Sequence, residues 1–186
     1  GVLLALSITA AGATPDVNSG EYFNQPYLAG IKVAPAWNAG LFGAGVIVAD
    51  LDSGIRATHV DLVGKIAPGG YDFVNDDKDP DDDETSLTHG HGTASAGIIV
   101  GNWNGVGVGG IAPSARVLPI KITDEKNETN GTLISQGVGY AAANDNVKII
   151  LLEAVGASTS TEEFNSFLNA VAKGKLIIAP SGNAAQ

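Results

Sequence analysis

Three side chains suited to proton transfer or anion binding stand where the chain leaves an apolar run or enters a helix-like one. Asp52 follows the run Gly45 to Leu51 and is itself followed by Ser53-Gly54, which puts a carboxylate at the edge of a strand beside a tight turn. That tripeptide alone describes many ordinary turns. His91 opens the stretch His91-Gly92-Thr93-Ala94-Ser95-Ala96-Gly97, whose small residues let a helix pack closely and leave the ring accessible. Asn183 comes after Leu176-Ile177-Ile178-Ala179-Pro180-Ser181-Gly182, an apolar strand that ends by presenting an amide. A carboxylate that orients an imidazole makes a general base, and an amide N–H aimed at a reacting carbonyl stabilises an oxyanion.

These residues need a scaffold that brings three chain ends together. Apolar runs at 45–51, 115–122, 147–152 and 175–179 are predicted strands. Between them, 92–100 and 133–143 have helical spacing, and Thr161-Glu162-Glu163 begins an amphipathic helix with Phe164, Phe167, Leu168 and Val171 on one face. Strand and helix alternation predicts an α/β fold with a doubly wound, mostly parallel sheet. Sites in such sheets lie at the carboxyl ends of the strands, which is where Asp52 and Asn183 fall.

Composition narrows the chemistry further. The net charge of −10 is concentrated, because residues 72–84 hold seven Asp and one Glu against Lys78 and leave only −3 to everything else. A chain with this balance and no basic stripe repels phosphate backbones, so nucleic acid is excluded as a partner. The absence of cysteine removes disulfides and thiolate metal sites. Gly105-Val106-Gly107-Val108-Gly109-Gly110 has the glycine spacing of a dinucleotide loop, but it follows polar Asn102-Trp103-Asn104 instead of a strand, and Pro113 stands where the phosphate-binding helix would begin. Nucleotide binding is therefore set aside. His89 and His91 with the acidic run offer ligands to a transition metal, yet no third ligand stands at a convincing spacing.

Taken in order, the motifs resemble the subtilisin-like serine peptidases (subtilases). Val46 to Gly54 matches that family's Asp motif, His91 to Gly97 its His motif, and Gly182-Asn183 its oxyanion element. Gly110-Ile111-Ala112-Pro113-Ser114-Ala115 and the tyrosine-led Tyr71-Asp72-Phe73-Val74-Asn75-Asp76 are also similar to family segments, and the likeness runs from about Leu28 to Asn183. The resemblance implies a serine endopeptidase acting on protein or peptide substrates. His91 is then the general base, Asp52 the carboxylate that fixes its tautomer, and Asn183 the oxyanion donor. It also implies Ca²⁺ near the acidic loop, with Asp77, Asp79, Asp82 and Asp83 as expected ligands and a merely solvated loop as the alternative. His89 is assigned to a loop, and His59, in His59-Val60-Asp61-Leu62, to structure.

Departures from the family pattern shape the remaining expectations. No Gly-Thr-Ser occurs, so residues 14–186 are read as the N-terminal part of a peptidase domain, inactive alone, that stops before the nucleophile. The strand that pairs with substrate in relatives reads Leu151-Leu152-Glu153-Ala154-Val155-Gly156 here, without its usual polar residues, and Asp50 stands where an apolar residue is usual. Those changes support the alternative of a non-catalytic pseudopeptidase or calcium-dependent binding module on the same fold. The apolar run Val2 to Ala10 followed by Ala11-Gly12-Ala13 is read as a signal-peptide remnant, 1–13, which implies a secreted or cell-surface protein. Tyr22 to Ile31 resembles the entry segment of autotransporter subtilases, which implies a C-terminal translocator domain in the full-length protein.

Overall fold

The computed structural model describes residues 14–83, 90–154 and 160–182. Five parallel strands form one sheet in the order β2-β3-β1-β4-β5. They are β1 (Ile47–Asp52), β2 (Tyr71–Asp72), β3 (Arg116–Lys121), β4 (Val147–Leu152) and β5 (Leu176–Ile178). Three short helices, α1 (Gly20–Phe23), α2 (Pro26–Gly30) and α3 (Ala34–Asn38), precede the sheet. The longer helices are α4 (His91–Val100), α5 (Gly131–Ala143) and α6 (Thr161–Ala172). This is the mostly parallel α/β sheet that the alternating pattern predicts, and the strand bounds agree to within a residue or two. The added element is β2, two residues of the tyrosine-led segment that pair with Ile120 and Lys121 of β3.

Residue alternation along β1 assigns its two faces. Ile47, Ala49 and Leu51 join the main core under α5 with Leu118, Ile120, Ile134, Val138 and Ile150. Val48, Asp50 and Asp52 therefore point to the opposite face, where α4 packs. That side has a smaller core of Ile55, Leu62, Ala96, Val100, Ala115 and Val117. Helix α5 approaches the sheet closely through Gly137, where a Cβ would lie 2.8 Å from Ile122 and 3.2 Å from Leu51.

The N-terminal helices gather around an aromatic cluster of Leu28, Val33, Trp37 and Trp103. The indoles of Trp37 and Trp103 meet edge to face and donate to the carbonyls of Ile111 and Gly110 at 2.8 and 3.0 Å. This cluster accounts for the glycine-rich run. A Cβ on Gly109 would enter the Trp103 ring at 2.3 Å, and one on Gly107 would meet the Asp61 carboxylate at 2.0 Å. The glycines at 107 and 109 are packing requirements.

Helix α6 departs from expectation. Ser160, not Thr161, is its N-cap, accepting from the Glu163 N–H at 3.0 Å. Of the predicted apolar face only Phe167 packs on the core, whereas Phe164, Leu168 and Val171 are more than half exposed. The side that is buried carries Ala170 and Glu163, because α6 lies against α5 and small Ala170 permits the close approach. Leu176 and Ile178 of edge strand β5 are exposed as well.

Candidate active site

Asp52 is the last residue of β1, the central strand, and the chain passes from β3 on one side of β1 to β4 on the other. The carboxyl end of β1 is thus a topological switch point of the sheet. From there the chain must turn sharply. Gly54 has φ +99°, and a Cβ on it would stand 2.6 Å from the Asp81 carbonyl. His91 is delivered by the first turn of α4, entered through left-handed Gly90 at φ 79°. Gly92 lets that turn sit on β1, since a Cβ there would lie 2.2 Å from the Gly54 carbonyl and 3.1 Å from Cβ of Asp52.

The result is a side-chain pair. His91 Nδ1 faces both carboxylate oxygens of Asp52, at 2.7 and 2.9 Å. Asp52 is nearly inaccessible, while about a third of the His91 side chain is open to solvent. Asp52 Oδ1 also accepts from the Ser53 N–H at 2.6 Å. Burial raises the Asp52 carboxyl above its ordinary range, opposed by His91 and by that N–H. A buried carboxylate on Nδ1 holds the imidazole in the tautomer that leaves Nε2 for proton transfer.

Asp82 fastens the pair. Its Oδ1 accepts from Ser53 Oγ at 3.1 Å, and its Oδ2 accepts from the Thr93 N–H at 3.1 Å and from the Thr93 hydroxyl. Ser53 Oγ in turn accepts from the Gly92 N–H at 3.0 Å. One buried carboxylate therefore ties the residue after Asp52 to the second and third residues of α4. Beside it, Arg56 holds Asp81 at 3.0 Å and the Asp82 carbonyl at 2.6 Å. Buried Lys121, the last residue of β3, pairs with Asp83 and with Asp72 at 3.6 Å.

The acidic run is thus built into internal bonds. Asp77 pairs with Asp72 through the backbone and accepts from the Asp79 N–H at 2.8 Å, Asp82 is occupied by Ser53 and Thr93, and Asp83 by Lys121. Among the described residues the structure does not draw Asp77, Asp79, Asp82 and Asp83 into one set of ligand atoms. Asn183 and His89 lie outside the described residues. His59 is structural, its Nδ1 accepting from the Asp61 N–H at 3.2 Å at the start of a 3₁₀ turn, Val60–Leu62.

Two carboxylates near the pair were not given a role by sequence reasoning. Glu153 follows β4 directly, and its N–H donates to the Leu51 carbonyl at 3.1 Å. That pairing brings its carboxylate to Asp52 and His91, and one ligand atom from each of the three lies within 4.8 Å of the others. The available signal was a carboxylate closing an otherwise apolar strand. Asp50 is 1% exposed, and among the described residues neither of its oxygens has a hydrogen-bond partner. Burial, and then the charges of Asp52, Glu153 and Asp82, push its carboxyl well above the usual range. A cavity of about 690 Å³ opens beside α4 and is lined by Arg56, Asp82, Thr93, Gly97 and Val108. Neither Asp52 nor His91 lines it, so the pair sits at the open sheet end next to this cavity.

Comparison with known proteins bears on what this pair belongs to. Residues 43–186 match the model of the Subtilase family. The chain belongs to that family. It is 33% identical to thermitase of Thermoactinomyces vulgaris over 87% of this chain and 58% of the relative. It is 35% identical to the minor extracellular protease Epr of Bacillus subtilis, over 96% and 27%. The major intracellular serine protease of the same organism is 36% identical, over 83% and 49%. This subtilase chain spans about a quarter to three fifths of the length of these relatives.

Proposed function

We propose that Asp52 and His91 are the carboxylate and the general base of a serine endopeptidase that hydrolyses peptide bonds in protein substrates. The observation that carries this reading is the contact of His91 Nδ1 with the buried Asp52 carboxylate at 2.7 Å, at the sheet's switch point. Serine peptidases among the relatives support the reaction class. The nucleophile is a serine hydroxyl outside residues 1–186. His91 takes its proton as the hydroxyl attacks the scissile carbonyl and gives that proton to the leaving amine. Asp52 stabilises the imidazolium formed in between. Asn183 donates to the oxyanion. Export fits the apolar run at 2–10 and the extracellular relative Epr, although another relative is named as intracellular.

The test is made on the full-length protein. A serine-directed phosphonate labels one serine and abolishes peptidase activity, and His91→Ala removes both labelling and turnover. A protein that folds, binds peptides and is not labelled is instead a binding module on the subtilase fold.

A further inference from the structure

We propose that Asp52, His91 and Glu153 form a binding site for a single transition-metal ion of the Zn²⁺ type. The three come from separate elements, the end of β1, the start of α4 and the residue after β4, and their ligand atoms already lie within 4.8 Å of one another. Ligands about 2.1 Å from a tetrahedral ion stand about 3.4 Å apart, so the 2.7 Å contact of Asp52 with His91 would open by about 0.7 Å and the widest spacing would close by up to about 1.4 Å. Glu153, only partly buried and on a long side chain, can supply that shift. An imidazole with two carboxylates suits Zn²⁺ or Co²⁺, whereas Ca²⁺ and Mg²⁺ prefer all-oxygen shells. Three protein ligands leave one position for water, the usual arrangement of an accessible zinc.

Asp50 adds a second geometric observation on the same strand. It lies on the same face of β1 as Asp52, is 1% exposed, and has two carboxylate oxygens without a donor among the described residues. A dication held by Asp52, His91 and Glu153 would stand at the end of the strand that carries Asp50. Among the described residues, no cluster of three His or acidic side chains comes this close elsewhere. Metal binding would also block the proposed proton transfer, because an ion bound to Asp52 and His91 breaks the Asp52–Nδ1 contact that sets the tautomer of the base. The site is then a reversible off-switch.

The test titrates the full-length protein with Co²⁺ alone and then with Zn²⁺ alone, after treatment with a chelator. One equivalent of Co²⁺ is expected to develop visible absorption that Zn²⁺ displaces, and Glu153→Gln to weaken Zn²⁺ binding by at least about tenfold, a loss that even outer-shell partners can cause. Asp77→Asn with Asp79→Asn leaves the affinity unchanged. In the parent protein, Co²⁺ shifts the imidazole signals of His91 and not those of His59, a readout that does not depend on any variant folding. Unchanged affinity in Glu153→Gln, loss of affinity in the Asp77/Asp79 variant, or undisturbed His91 signals each overturn the site. None of these readouts requires peptidase activity, so failure of the metal site and failure of the proposed reaction are separable.

Discussion

Asp50 and Asp52 lie two residues apart on one face of β1, yet among the described residues only Asp52 has partners: it meets His91 Nδ1 at 2.7 Å, while both oxygens of Asp50 are buried without a donor. The difference follows from the packing of α4. Its first turn ends above Asp52, held there by Gly92 and Asp82, and no described polar group bonds at the level of Asp50.

Asp50 should therefore cost stability, with a definite pH dependence. Its carboxyl is raised well above the ordinary range by burial, so the folded chain keeps a proton that the unfolded chain loses near pH ~3.9. Above that pH the folded state binds more protons than the unfolded one, and stability falls as pH rises, by at most about 1.4 kcal/mol per pH unit, until Asp50 ionises in the fold. Asp50→Val removes this contribution. Thermal melts in chelator should show a gain for the variant at pH 7 that is larger than its gain at pH 3, where Asp50 is neutral in both states. A gain independent of pH would contradict the assignment.

Asp52→Asn keeps the shape of the site and loses the tautomer. In the full-length protein, kcat should fall by about 10⁴ with little change in KM, the effect of an amide in this role. Steady-state kinetics on a peptide substrate measure it.

Asp82 is expected to act as a fastener. Asp82→Ala leaves Ser53 Oγ and the Thr93 N–H and hydroxyl without their acceptor, at a cost of about 1–3 kcal/mol. The same variant should loosen His91, visible as faster hydrogen exchange in the first turn of α4. Denaturant melts that match the parent would show that the loop is merely solvated.

Two glycines on α5 should respond in opposite directions. Gly137→Ala drives a methyl into Ile122 and is destabilising. A methyl on Gly139 would meet nothing within 4 Å, so Gly139→Ala should add about 0.5–1 kcal/mol through helix propensity. Urea midpoints of the two variants, compared with the parent, test both signs.

The exposed stripe of α6 predicts association. Among the described residues, Phe164, Leu168 and Val171 of α6 and Leu176 and Ile178 of β5 are exposed apolar side chains. Leu168→Glu together with Val171→Lys should lower binding of a hydrophobic dye and aggregation while moving the melting temperature by little. Equal dye binding would show that these side chains are not the exposed surface.

What could be read along the chain was what neighbours along the chain decide. The run 45–51 closes on Asp52, and small residues follow His91, so a carboxylate at a strand end and an imidazole at a helix start were legible, as were the parallel α/β class and the strand positions. Asp52 and His91 lie 39 residues apart, and their contact was inferred from the motifs together; spacing alone does not bring them into contact. The tertiary structure decided the rest, because it depends on which faces meet. Asp82, which the family resemblance makes an expected Ca²⁺ ligand, is an acceptor for Ser53 and for the first turn of α4. Glu153, which counts as one acidic residue after an apolar strand, becomes a neighbour of Asp52 only through the β1–β4 pairing. The apolar stripe of α6 points outward because the position of α5 selects the side bearing Ala170. Charge counts and periodicity describe one segment at a time, whereas burial, hydrogen-bond partners and close carboxylates arise from segments that fold against each other.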